Sequence, residues 1–502
     1  IEFSDWSSDV CSSDLWTGMF RFPPMQSPID ILLAKDGCTL EDLLDEEDFG
    51  QEIKNNGDLV AFCSEPDALR RIVAYATLDY PAGVDAARCE KYHAVCAALF
   101  GDDPAKVADA VAVSSDIVAY LFDAVRGTDT ARVAAAAQIV AAVVGSPGSV
   151  VYEMFTADNT MLDAVMAHQD LTGALDIVLQ IMRLEDAGKS GCIDWVCSRG
   201  FIPRILKALA DGGSVDAVGN IAALVHSIVL WKVSSVDSPA VEFITRFNAE
   251  PSLGEFVDAV FESTDDFVVE QCFRIISNVL ACSTVLTYPD GDTLPGIFTA
   301  LLPHVSDFDK IFGEQRVGSV TNNLVYIVLS LVLSGFPTVY DAIASGRVLP
   351  AMVDMFYGSH LATVVRQTVQ MTIQSIVNGN VGVLKTRLVD GGRTLKLMME
   401  KDKEGQNEKD EKNIGPDYWL IGAQLMMSIV HGAEEKGEST EYGRIVLSDK
   451  EFVDYVHNVV IPRDEETSEY FSKVETYESC SSDEDDDELG LEDDDDIEDD
   501  EE

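Results

Sequence analysis

The feature that most constrains this chain is its apolar spacing, which is helical almost everywhere from about residue 28 to 400. In LTGALDIVLQIM, Leu171, Ala174, Leu175, Val178, Leu179 and Met182 share one side of a 3.6-residue helix and form a single buried stripe. Similar stripes recur at 66 to 77, 85 to 99, 104 to 125, 214 to 231, 267 to 280, 318 to 334 and 361 to 377. Short breaks such as GSPGS (145 to 149) and YPDGD (288 to 292) separate them. No stretch reads as a hairpin or a βαβ unit. Many amphipathic helices of roughly 10 to 20 residues, joined by short turns, predict an all-α armadillo/HEAT-like helical-repeat solenoid. No consensus repeat is visible, so the repeats are degenerate. Two ordinary helical bundles are the structural alternative, and a length of 502 residues favours the array.

Charge narrows the choice of partner. The chain carries 88 acids against 35 bases, a formal charge of −53, so phosphate backbones and anionic membrane surfaces are repelled. The 17 acids among the last 25 residues, Glu478 to Glu502, leave −36 elsewhere. No nucleic acid and no membrane is expected as a partner, and the longest apolar runs, such as LVYIVLSLVL (324 to 333), are too short to span a bilayer. From about 474 the sequence ESCSSDEDDDELGLEDDDDIEDDEE cannot bury enough apolar surface to order itself, which predicts a disordered acidic tail over 474 to 502. Within it, Ser481 and Ser482 each have an acid three residues on, the context that acid-directed kinases prefer. Residues 401 to 415, KDKEGQNEKDEKNIG, read as a charged loop, after which the C-terminal helices of the same domain resume over 416 to 473. At the other end, DWSSDVCSSDL (5 to 15) resembles the translation of a sequencing-library adapter. Residues 1 to 18 are therefore set aside as a non-native leader, with the native start expected at Met19.

Catalytic chemistry leaves little trace. Ten scattered cysteines without a CxxC pair read as reduced core residues of a cytoplasmic protein, with the nucleus also open. Gly188-Lys189-Ser190 resembles the end of a phosphate-binding loop, but Arg183 stands where the leading glycine belongs. Cys89, His93 and Cys96 share a helix face, yet a zinc site needs a fourth ligand. Nucleophile-elbow, metalloprotease, dinucleotide-loop and metallophosphoesterase motifs are absent. The expectation is a protein without enzyme activity, metal or cofactor.

Several stretches resemble one family in collinear order. TLEDLLDEEDFGQEIKNNGDLVAF (39 to 62) is similar to the leucine- and acid-rich start of the SAPS-domain family, phosphatase-associated regulatory subunits in which this pattern follows an MFW-like N-terminus. Met19-Phe20-Arg21-Phe22 departs from that start at its third residue, and Gly57 stands in place of an asparagine. Arg88, Lys91, Tyr92 and Cys96 resemble the family's RxKYxxxxCxLL segment; YWLIGAQLMMSIVHGAEEKG (418 to 437) resembles a later one. Weaker likenesses lie between, at His168 with 175 to 182, at Trp195 with 200 to 206, and at 318 to 332.

The resemblance implies a SAPS-like helical-repeat domain over 19 to 400. It also implies a non-catalytic scaffold that binds a protein phosphatase 6-type serine/threonine catalytic subunit, with a further ankyrin-type or other regulatory subunit as a second partner. Candidate partner-binding residues are Leu40, Glu41, Asp42, Leu43, Leu44, Asp45, Glu46, Asp48, Arg88, Lys91 and Tyr92. In the first of these segments Thr39 is placed to cap a helix, Leu40, Leu43 and Leu44 to bury one face, and the acids to stay in water. The competing reading is an acidic armadillo-like adaptor for basic cargo, such as a transport receptor or histone chaperone. Of the five tryptophans, Trp6 and Trp16 fall in the leader, and Trp195, Trp231 and Trp419 are too few and too unevenly spaced for a ladder of aromatic sites.

Overall fold

The computed structural model describes residues 27–101, 106–231, 239–285, 293–314, 318–357, 362–407 and 418–465. Every regular element among them is a helix. The apolar stripes at 66 to 77, 214 to 231 and 318 to 334 become the helices Pro66–Ala76, Val215–Leu230 and Gly318–Leu333. The stripe at 104 to 125 is instead two helices, Val107–Val113 and Ser115–Val125. Ser114 between them takes an extended conformation, with φ −93° and ψ 99°, and its hydroxyl donates to Asp116 at 2.7 Å. Periodicity alone cannot register such a break, because the apolar register carries across it. The YPDGD break lies outside the described residues.

The helices stack with a period of three. In one compact unit, which ends at Phe247, the helix Thr130–Val143 packs on Ala174–Arg183, and that helix packs on Val215–Leu230. In the other, which begins at Asn248, Asp266–Val285, Gly318–Leu333, Thr363–Asn378 and Tyr418–Lys436 form an unbroken series. Two further α-helices lie between successive members of each series. A second series in the same unit runs Pro337–Ser345, Gly382–Val389, Glu441–Ser448. This is an armadillo-type helical repeat. The contacts separate into these two units, and the domain expected over 19 to 400 spans the boundary between them.

Polar bonds mark the same period. Asn220 donates to the Gln169 carbonyl at 3.1 Å, Asn323 to the Glu270 carbonyl at 3.2 Å, and Gln370 to Gln424 at 2.7 Å, across 51, 53 and 54 residues of sequence. Each such bond contributes on the order of 1 kcal/mol, less than the burial of one large side chain at roughly 1.5 to 3 kcal/mol. Phe155, Phe201 and Phe243 in the first unit and Phe256, Phe273, Phe298 and Phe308 in the second are fully buried. Apolar packing therefore carries the stability, and the amides set the register.

One polar stretch departs from expectation. The helix Arg393–Asn407 continues through Lys401-Asp402-Lys403-Glu404, where the charge pattern suggested a loop from 401. Asp402 explains it. Its carboxylate is 2% exposed and takes a two-pronged pair of bonds from Arg463, both at 2.9 Å, with further donations from Tyr455 at 2.7 Å and Gln406 at 3.0 Å. An acid read as wet is the buried centre of a network that holds the last described helix. Replacing Arg463 by methionine leaves that carboxylate uncompensated and should cost about 3 to 5 kcal/mol in urea denaturation, the usual penalty for breaking a buried pair. Lys401→Met, which removes an exposed i,i+3 pair with Glu404, should cost under about 1 kcal/mol.

Candidate partner-binding segment

The segment singled out at residues 39 to 49 forms the short helix Leu40–Leu44. Thr39 caps it as the sequence implied: its hydroxyl accepts from the Asp42 amide, and the Asp42 carboxylate accepts from the Thr39 amide at 3.0 Å. The Thr39 hydroxyl also donates to the Asp42 carboxylate at 2.7 Å, and this bond together with that from the Thr39 amide holds the Asp42 carboxyl below its ordinary range. Leu40, Leu43 and Leu44 are buried, with Phe49 beyond them, so these leucines belong to the core and present nothing to a partner.

Two of the acids point inward as well. Glu41 accepts from Arg71 and from the Tyr75 hydroxyl at 2.6 Å, both on the helix Pro66–Ala76. Asp45 accepts from Arg88 at 2.8 Å and from the Tyr92 hydroxyl at 2.9 Å, while Lys91 donates to the Asp45 carbonyl at 2.7 Å. These three donors stand on the helix Ala86–Ala98. The Tyr75 and Tyr92 rings meet edge to face, with centroids 5.2 Å apart. Burial, reinforced by the Asp45 carboxylate, pushes the Tyr92 hydroxyl up to about 12.

The two segments that carry the family resemblance thus bond to each other. Glu41, Asp45, Arg88, Lys91 and Tyr92 form an internal lock around two tyrosines, and Asp42 is spent on capping. Of the acids in this stretch, Glu47 and Asp48 are exposed and Glu46 half-exposed. Arg88 keeps over half of its side chain open. Arg71 and Tyr75 are lock residues that the sequence reading missed. Their i,i+4 spacing on one helix was the available signal, and it named no partner.

The later resembling segment, on Tyr418–Lys436, is likewise built into the core. Gly432 is required because a Cβ there would lie 2.7 Å from Val377 Cγ1. Gly437, at φ +65°, ends the helix and donates to the Ala433 carbonyl at 2.8 Å. Elsewhere, Cys96 is fully buried and His93 Nδ1 lies 3.1 Å from the Tyr75 carbonyl. Lys189 is occupied by Glu153 and the face of Tyr152. Among the described residues no cluster of three or more His, Cys, Asp or Glu could hold a metal ion. No helix there is long and apolar enough to cross a membrane. The eight described cysteines are unbonded thiols, and burial raises Cys63 and Cys272 to about 12. Ser481 and Ser482 lie outside the described residues.

No family model matches the chain. Curated proteins do. The chain is similar to regulatory subunits of serine/threonine-protein phosphatase 6. It is 19% identical over 291 residues to regulatory subunit 1 of Mus musculus, covering 55% of this chain and 33% of that protein. It is 18% identical over 378 residues to regulatory subunit 3-B of Xenopus laevis, covering 66% and 44%. The chain thus matches less than half the length of these relatives. Among solved structures it is similar to a designed armadillo repeat protein, at 14% identity, TM-score 0.34, 53% of this chain and 98% of that one. The Kap95:Nup1 complex is another, at 12% identity, TM-score 0.42, 83% and 46%.

The lock has measurable consequences. Glu41→Ala strands the buried Tyr75 hydroxyl and should lower stability by about 1 to 3 kcal/mol in urea denaturation, whereas Glu47→Ala, at an exposed site, should change it by under about 0.5 kcal/mol. Between the ordinary tyrosine value of 10.0 and about 12, the unfolded chain releases the Tyr92 proton while the folded chain keeps it. The folded state then binds more protons, so stability falls as pH rises through that window. Tyr92→Phe should shrink this fall, measured by denaturation at about pH 9 and about pH 11.

Proposed function

We propose that this chain is a non-catalytic scaffold subunit that binds a serine/threonine protein phosphatase catalytic subunit and directs it to substrates or further subunits. The observation that carries this reading is the similarity to phosphatase 6 regulatory subunits, which reaches 66% of the chain. The armadillo-type repeat supports it, because stacked helices offer a long surface from which a partner can be held without an enclosed site. The lock supports it too: residues shared by the two resembling segments are spent on holding three helices together, which fixes the geometry of whatever surface surrounds them.

In this reading the two tyrosines at the centre of the lock are inaccessible and the contact is made at its outer edge. Glu46, Glu47 and Asp48 supply negative charge there, and Arg88 and Lys91 lie alongside on the neighbouring helix. Rim charges of this kind govern encounter and specificity more than final affinity. A cytoplasmic setting is consistent with the free thiols, six of the eight described being buried.

Affinity capture of the full chain from its native cell at moderate salt, followed by mass spectrometry, should recover a phosphatase catalytic subunit. Its absence would sink the proposal. Charge reversal of Glu46, Glu47 and Asp48 to lysine should weaken recovery by about tenfold, equivalent to about 1.4 kcal/mol, with the melting temperature unchanged. Purified chain alone should release no phosphate from a phosphopeptide.

A further inference from the structure

A cavity of about 740 Å³ in the second unit is bordered by the N-terminal ends of two helices, Gly382–Val389 and Glu441–Ser448. Gly382 and Val383 line it from one, Thr440, Glu441 and Tyr442 from the other. The opening amides of a helix have no carbonyl to bond within it and carry the positive end of its dipole. The volume lies in the range of small-ligand pockets, roughly 300 to 1,000 Å³.

What sets this cavity apart is a buried cation on its wall. Lys385 is 4% exposed and is the one buried lysine among the described residues. Its ammonium donates to the Val377 carbonyl and lies 5.7 Å from the centre of the Tyr442 ring. The bond to Val377 caps the last turn of Thr363–Asn378, which accounts for the direction of the side chain but not for its charge. Two of its three N–H groups are left unanswered, and no carboxylate of a described residue stands within ion-pairing distance. Asp402, a buried charge of the opposite sign, shows the contrast, because Arg463 completes it. Lys436 lines the same cavity, is half-buried and has no carboxylate partner among the described residues either. Burial and then repulsion from Lys436 hold the Lys385 ammonium below the ordinary lysine value, and Glu435 offsets this only in part. Arg387, on the same wall, is already bonded to Asp390 at 3.2 Å and to the Gly346 carbonyl at 2.8 Å. Glu441 is exposed and bonds to neither ammonium.

We infer that this cavity binds a phosphate monoester. An uncompensated buried charge is costly, and two neighbouring ammoniums without a counter-ion call for a compact anion of matching charge. A phosphate monoester carries about −1.5 to −2 at pH 7 and three strong acceptor oxygens. Those oxygens can take the spare N–H groups of both lysines in charge-assisted bonds, with the helix ends adding to the attraction. A carboxylate or a sulfate ester brings a single charge and leaves half of the repulsion in place. A polyanion is excluded, since its further charges meet a chain of net −53. Val383 and Ile445 give the body of the ligand an apolar wall. The site stands apart from the lock and does not depend on the partner being a phosphatase.

Isothermal titration calorimetry on the full chain tests this with phenyl phosphate, for a small-molecule source, and a short phosphoserine peptide, for a protein-borne one. Phenyl sulfate and the same peptide with glutamate for phosphoserine are the singly charged counterparts. At least one phosphate probe should bind about tenfold tighter than its counterpart, and the tighter of the two identifies the source. Lys385→Met should abolish that binding. Lys436→Met should weaken it by about tenfold with the melting temperature unchanged. Lys207→Met, at an exposed site in the other unit, should change nothing. Binding of neither phosphate probe overturns the inference, as does equal binding of both probes and their counterparts, or equal loss in Lys436→Met and Lys207→Met. A Lys385→Met chain that melts earlier but binds phosphate as before makes Lys385 a helix cap only, which also overturns it. If Lys385→Met does not fold, Lys436→Met decides the matter.

Discussion

No helix in this chain can stand alone, and the rest of the structure depends on that fact. The helices between the breaks run from four to 20 residues, and isolated helices of such lengths are marginal in water. Each must bury its apolar stripe against a neighbour. The neighbour that recurs is the helix three places along, as in the series from Asp266–Val285 to Tyr418–Lys436. Stability is thus passed from repeat to repeat, and a defect in one interface is felt first by the helices on either side. The fully buried phenylalanines supply the cohesion. The amide bonds of Asn220, Asn323 and Gln370, repeated at almost the same sequence interval, oppose slippage of one layer past the next.

The lock shows how a short element is fastened into such an array. The helix Leu40–Leu44 is too small to hold itself in place by three leucines. Glu41 and Asp45, one turn apart, each reach a different helix, so a five-residue element is tied at two points. Neither carboxylate is left without donors, which avoids the cost of an uncompensated partly buried charge. A pattern that looks like acidity in the sequence is a fastening in the structure. This also accounts for the association of the leucine- and acid-rich segment with the Arg-x-x-Lys-Tyr segment more than 40 residues later: neither has its partners without the other.

Much of the fold could be read from the chain because helical periodicity is local. Pro66 and Gly318 open helices where the stripes begin, and Thr39 with Asp42 announces its capping box within four residues. What could not be read depends on distant partners. Nothing near Asp402 reveals that Arg463, 61 residues away, will bury it. Glu41 and Asp45 look identical to Glu47 and Asp48 until the helices bearing Tyr75 and Tyr92 are placed. The candidate site was therefore legible as a segment, while the inward role of its residues was not: its leucines are buried, and Glu41 and Asp45 are bonded to neighbouring helices.

The scarcity of basic residues gives the surface its character. Of 35 lysines and arginines, many are already committed to acids: Arg70 to Asp116, Arg126 to Asp158, Arg132 to Asp79, Arg204 to Asp163, Arg246 to Asp194 and Arg393 to Asp354. Exposed pairs of this kind contribute little stability, typically up to about 1 kcal/mol. Most of these join one repeat to the next, so they orient layers that the apolar core has already joined. With so many bases engaged, the acids left unpaired dominate the outward field. A basic partner would be drawn in from beyond contact distance, at a rate that falls with added salt. Specificity must then come from places where the acids are positioned rather than merely numerous. At the lock edge the acids are placed in this sense, because Asp45 is tied to Arg88 and Tyr92 and Glu46, Glu47 and Asp48 follow directly from that fixed point.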